Sequence, residues 1–247
     1  MNTKLFFDTE FTGLHSKTTL VSIGFISDCG KTFYAEFTDY DKSQVDDWIQ
    51  TNVIRKTWVY IYDPDTNFGI VEKNAWADIH VFGDKAFIAP RLRDWLSQFE
   101  SIEMWSDCMA YDWVLFNDIF GSAFDIPKNI FYIPFDICTV FKEMAINPDI
   151  NRESFACDAF SENGEPLFFN EKGERLIAGK HNAMWDAKII KRCYEKLCVL
   201  KVDLKTILLE ASNWENQMTS EERVAMSFFD ARLKVIDRIH EKYMNQI

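Results

Sequence analysis

The 247-residue chain is 47% hydrophobic and carries 22 phenylalanines, enough apolar surface to bury a sizeable core, which excludes general disorder. Its formal charge of −12 argues against a broad basic surface for holding nucleic acid, although an enzyme that grips a few nucleotides at one strand end needs little positive field beyond its mouth. The 6 cysteines show no C-x-x-C spacing, and neither an apolar run of about 18 residues nor a charged-then-apolar leader is present, so the expectation is a soluble, cytoplasmic protein without disulfides or a membrane span.

Residues 4–7 read as a buried strand that runs into the acidic stretch DTE. Residues 18–27 and 32–37 read as two more strands joined by the turn DCGK, which makes an antiparallel meander of three. In SQVDDWIQTNVI (43–54), Val45, Trp48 and Ile49 have helical spacing, with Ser43 as the expected cap. Residues 58–71 read as a strand, a turn rich in Pro, Asp, Asn and Gly, and a short return strand. Leu92, Trp95, Leu96 and Phe99 share one face of a helix predicted over 84–99, and a strand follows at 102–106. Helices are predicted over 109–120 and 135–145. The segment 147–179 reads as a long connection with one short helical piece at 154–160. A helix over 181–197 precedes two further amphipathic helices, the second opened by a capping box, Thr219 and Glu222. Three strands followed by strands alternating with helices argue an α/β layer fold, with a mixed sheet, helices on its faces and the opening strand central.

The opening strand carries the first chemical signal. Asp8 and Glu10 are separated by one residue, so on an extended strand they point the same way, roughly 7 Å apart. Like charges this close repel unless a cation lies between them, either a distant Lys or Arg or a divalent metal that favours carboxylate oxygens. A lone D-x-E is more often a solvated acidic turn at a strand end. Asp112, in AYDWVLF, sits on the first turn of a helix after a strand, where it could equally complement the helix dipole, and Asp107 or Asp118 could be mistaken for it. Asp186, in HNAMWDA, follows His181 by five residues, and a histidine placed just before that helix can hang its ring over the same pocket. In isolation such a histidine is more often a helix-entry residue bonded to backbone. The conjunction is more specific than its parts, because three separate placements must agree.

Those three stretches, FFDTEFTGL, AYDWVLFNDIF and HNAMWDA, resemble the motifs of the DEDDh 3′-5′ exonucleases of the ribonuclease-H-like fold. Within that family, FYAEFTDYDKSQVDDWIQTNVI and IEMWSDCMAYDWVLF are most similar to ribonuclease AS, the bacterial polyadenylate-preferring exoribonuclease. The resemblance covers residues 4–56 and 84–197. It implies an exonuclease domain over 1–199 with insertions near 57–83 and 147–180, and a C-terminal helical extension over 200–247. The implied fold is a ribonuclease-H-like mixed β-sheet flanked by helices. The implied activity is metal-dependent 3′-5′ hydrolysis of phosphodiester bonds, releasing nucleoside 5′-monophosphates with the help of two Mg²⁺ or Mn²⁺ ions. In that scheme Asp8 bridges both ions, Glu10 and Asp186 complete the first, Asp112 holds the second partly through water, and His181 takes the proton of the attacking water. An all-oxygen cage suits these ions, whereas zinc normally wants nitrogen or sulfur.

FTGL would meet the substrate. Gly13 permits close backbone approach to the terminal sugar, Phe11 and Leu14 could wedge or stack the last base, and the N–H groups of Phe11 and Thr12 could reach the 3′ hydroxyl. Tyr111 could also stack, with core packing the equal alternative. The expected partners are 3′ ends of single-stranded nucleic acid, RNA favoured over DNA. Phe228, Phe229, Leu233 and Ile236 read as a packing or self-association face rather than a substrate site, which leaves a homodimer open. The alternatives are a DNA exonuclease of the same family and a non-catalytic nucleic-acid-binding module.

Overall fold

The structure is a computed structural model, and it describes residues 2–62, 69–72, 77–169, 172–173, 175–176 and 179–217. The chain divides into two compact units, Met1–Glu195 and Lys196–Ile247. The site and its scaffold belong to the first.

Strands β1 (Thr3–Phe11), β2 (Leu20–Ser27) and β3 (Thr32–Phe37) form the expected antiparallel meander. Beyond β3 lie β4 (Gly69–Glu72) and β5 (Ile79–Gly83). On the other side β6 (Ile102–Ser106) runs parallel to β1, and the two-residue β7 (Phe135–Asp136) runs parallel to β6. The result is one mixed seven-stranded sheet in the order β4-β5-β3-β2-β1-β6-β7, with β1 interior and paired on both sides.

Side-chain alternation sends Leu5 and Phe7 of β1 to one face, where they join Phe25, Phe33 and Val81 beneath helices α3 (Lys85–Ser97) and α4 (Met109–Ile119). Ile88, Leu92, Trp95 and Leu96 of α3 and Leu115, Phe116 and Ile119 of α4 complete this core. Phe7, Phe25, Phe33 and Phe116 are fully buried, each worth about 1.5–3 kcal/mol relative to exposure. Phe6 and Asp8 point to the opposite face, where the first turns of α7 (Ala183–Gln217) lie, and Phe6 meets Tyr194 with ring centroids 5.2 Å apart. One register row on that face runs Asp8, Gly24, Tyr34, His80 across β1, β2, β3 and β5. Gly24 is required there: a Cβ would lie 2.5 Å from the backbone of Ala183 and Met184, so its absence lets α7 begin directly on the sheet. This mixed sheet flanked by helices is consistent with a ribonuclease-H-like fold.

Five expectations need correction. The stretch 43–54 is not one helix capped by Ser43: Asp41 caps a single 3₁₀ turn, Lys42–Gln44, and Asp46 caps helix α1 (Asp47–Asn52) by accepting the Ile49 N–H at 2.7 Å. Residues 58–62, expected as a strand, form helix α2 (Trp58–Tyr62), because the buried Glu36 carboxylate accepts the N–H groups of Trp58 at 2.5 Å and Val59 at 2.9 Å. The turn expected after them lies outside the described residues, and the return strand is β4. The segment expected as one helix over 135–145 starts as β7 before Asp136 caps α5 (Ile137–Glu143). In the long connection the helical piece is α6 (Arg152–Ala156), capped by Asn151. It is followed by a small antiparallel sheet of β8 (Ala159–Phe160), β9 (Pro166–Phe169) and β10 (Arg175–Leu176), where only loop and helix were expected. Helix α7 runs unbroken to Gln217, through the first of the two separate helices expected after 197. The capping box and the apolar face at 228–236 lie outside the described residues. Among the described residues, no helix is long and apolar enough to cross a membrane.

Candidate active site

Parallel pairing of β1 with β6 decides where the acids meet. The pairing ends at Phe6 and Trp105, so β1 continues into Asp8 just where β6 gives way to Asp107 and the start of α4. The first turn of α7 lies over the same strand end and brings Asp186. Carboxylate oxygens of Asp8, Glu10 and Asp186 all lie within 4.8 Å of one another, and so do those of Asp8, Asp107 and Asp112. Asp8 belongs to both groups. A cavity of about 860 Å³ opens above them, with Asp8, Glu10, Asp107, Asp186, His181 and Trp48 in its walls.

Asp8 and Asp112 are buried, and Glu10, Asp107 and Asp186 are partly buried beside them. Among the described residues no lysine or arginine forms an ion pair with Asp8, Glu10, Asp112 or Asp186. Burial, and then the charges of neighbouring carboxylates, hold Asp8 and Glu10 well above the usual carboxylate range. Burial also raises Asp112 to about 7, although the Ser106 and Thr9 hydroxyls pull it down, and Asp186 to about 8, against the opposing pull of the His181 N–H. Such a set of hard oxygen donors, strained by mutual repulsion, fits one or more divalent cations of the magnesium or manganese type.

Asp112 is fully buried, and its two oxygens accept hydroxyls from Thr9, at 2.5 Å, and from Ser106. Asp107 faces the cavity, and its Oδ2 is held by Arg152 Nε at 3.1 Å. In the sequence Asp107 reads only as a residue that could be mistaken for Asp112. The signal that could have found it is its position one residue past the end of the strand parallel to β1.

His181 stands two residues before α7 with a left-handed backbone, φ +65°. Its N–H donates to Asp186 Oδ2 at 2.8 Å, and its ring meets Trp48 edge to face, with centroids 5.3 Å apart. Burial, helped by the charges of Lys180 and Lys56, lowers the pKa of the half-buried imidazole, which favours the neutral form. Helical spacing with Val45 and Ile49 is the only signal that the sequence offers for Trp48. In the structure Ile49 is buried while Trp48 is 55% exposed on the cavity wall.

The expected substrate residues separate. Phe11, Gly13 and Leu14 line the cavity, Leu14 with 75% of its surface exposed. Thr12 is buried: its hydroxyl donates to Gln44 Oε1 at 2.6 Å and its N–H to the Thr19 carbonyl at 3.0 Å, so that N–H is already engaged rather than open to a 3′ hydroxyl. Tyr111 stacks on Phe11, with centroids 5.1 Å apart, and packs against the main core, the alternative allowed for it.

Fold and site together define an α/β protein with a ribonuclease-H-like sheet and a buried acidic centre at the end of its first strand. No protein-family model matches the chain. Over 127 residues, 51% of this chain and 67% of each relative, it is 26% identical to two Mycobacterium tuberculosis proteins named 3′-5′ exoribonuclease Rv2179c (strain ATCC 25618 / H37Rv) and 3′-5′ exoribonuclease MT2234.1 (strain CDC 1551 / Oshkosh).

Proposed function

We propose that this protein is a soluble, cytoplasmic, metal-dependent 3′-5′ exoribonuclease of the DEDDh kind, close in character to the polyadenylate-preferring ribonuclease AS. It would hydrolyse phosphodiester bonds at a free 3′ end and release nucleoside 5′-monophosphates. The observation that carries this reading is that Asp8 is common to two carboxylate groups, which is what a residue shared between two cation positions requires. Glu10 and Asp186 would complete one position, and Asp112 with Asp107 the other. Mg²⁺ or Mn²⁺ ions held there would supply a more acidic attacking water and neutralise charge on the scissile phosphate.

The remaining steps belong to the chain itself. The His181 imidazole accepts the proton of the attacking water, and the backbone N–H of the same residue keeps the Asp186 carboxylate turned toward the site. Thr9 and Ser106 lock Asp112 so that its charge is fixed in direction. Trp48, Phe11 and Leu14 offer flat, apolar surface to the terminal base, and such stacking tolerates any sequence. The relatives' names support RNA over DNA as the substrate.

Matched 5′-labelled RNA and DNA strands, single and duplex, digested side by side with Mn²⁺ and again with EDTA, test this reading. Single-stranded RNA shortens fastest, the product is nucleoside 5′-monophosphate, and EDTA stops it. Faster loss of DNA would favour a DNA-directed exonuclease, and binding without product release would favour a non-catalytic module.

A further inference from the structure

We propose that Tyr34 and Asn182 are positioning residues that aim His181, acting through the N-terminus of α7. The inference rests on the reading of His181 as the proton acceptor. Left-handed backbone is unfavourable for a histidine and persists only where the surroundings over-determine it. On one side the constraint is the His181 N–H bond to Asp186. On the other it is Asn182, whose buried amide is fully used: Nδ2 donates to the Tyr34 hydroxyl and to the Lys56 carbonyl, both at 3.1 Å, and Oδ1 accepts the Trp185 N–H at 3.1 Å, capping the helix. His181 is thus held between two anchored neighbours.

The second anchor reaches back to the catalytic strand. Tyr34 is fully buried and sits in the register row Asp8, Gly24, Tyr34, so its backbone lies two strand spacings, about 10 Å, from that of Asp8. The missing Cβ at Gly24 lets Ala183 settle between them. One rigid row of the sheet therefore sets both ends of the α7 start, Asn182 through Tyr34 and Asp186 beside Asp8. Tyr34 is absent from the walls of the cavity and has no means of touching substrate. Its hydroxyl also interacts with Glu36 and Ser22, and the part in catalysis that we assign to it runs through the aim of His181, where a misplacement of about 1 Å can cost on the order of a hundredfold.

The test is a double-mutant cycle read as kcat and KM separately. Tyr34→Phe keeps the ring and removes the hydroxyl. It is expected to lower kcat about tenfold or more, leave KM within about twofold and leave Mn²⁺ affinity by calorimetry unchanged. In a His181→Ala background the same substitution should change kcat by less than about twofold, because the residue it aims is gone. Asn182→Ser retains a helix cap but is too short to reach Tyr34, and it should reproduce the same pattern. Equal losses from Tyr34→Phe in both backgrounds would make Tyr34 a structural residue only and overturn the inference, as would wild-type kcat in Tyr34→Phe. An unchanged kcat in His181→Ala alone would instead remove the proton-acceptor reading on which the inference rests.

Discussion

Replacing Asp8 by asparagine lowers turnover by about three orders of magnitude or more while the protein stays folded, the scale of losing a central electrostatic element in phosphoryl transfer. Asp8 is the carboxylate common to both donor groups, so the amide weakens both at once. The stability change has the opposite sign. Burial and the neighbouring acids raise the Asp8 pKa in the folded protein, so the folded state binds its proton more tightly than the unfolded state does. The cost is absent below the unfolded value of about 3.9 and grows as pH rises toward the folded value. Without metal, Asp8→Asn should therefore melt at or above the wild-type temperature at pH 7, with the advantage shrinking toward pH 4. Thermal melts at the two pH values, beside turnover with Mn²⁺, check both halves. Wild-type activity in the purified variant would refute the role given to Asp8.

His181→Ala is expected to slow the reaction by about two to four orders of magnitude, the usual scale for losing a general base, with metal affinity preserved. His181 bonds the acidic centre through its backbone N–H, which alanine retains, so Asp186 keeps its partner. Because burial lowers the His181 pKa, the acid limb of the wild-type pH profile should lie below the ordinary histidine value, and it should vanish in the variant. Calorimetric titration with Mn²⁺ separates this outcome from its rival. Loss of metal binding would make His181 a ligand rather than a base.

What could be read without coordinates was whatever depended on local pattern. The meander of β1 to β3 follows from strand alternation and a Cys-Gly turn, and the acids at Asp8, Glu10, Asp112 and Asp186 stand at element ends that periodicity can place. Long-range partners were hidden. WVYIY has the composition of a strand, and it coils because Glu36, 22 residues earlier, presents a buried carboxylate to its first N–H groups. Asp107 enters the site because β6 pairs in parallel with β1, a choice made over a separation of about a hundred residues. Gly24 looks like any strand glycine until α7 is laid on it. The three short strands at 159–176 were masked by the turn-forming residues between them.

Digestion of a linear RNA strand beside its 5′-blocked, 3′-phosphorylated and circular counterparts tests capture of a free 3′ end at the acidic centre most directly. With little basic surface to hold an internal stretch, the proposed exonuclease would depend on the terminal base and hydroxyl for its grip. The linear and 5′-blocked strands should shorten to mononucleotides at similar rates, more slowly as salt rises, while the 3′-phosphorylated and circular strands resist. Cleavage of the circle at a comparable rate would mean an endonuclease and contradict the assignment.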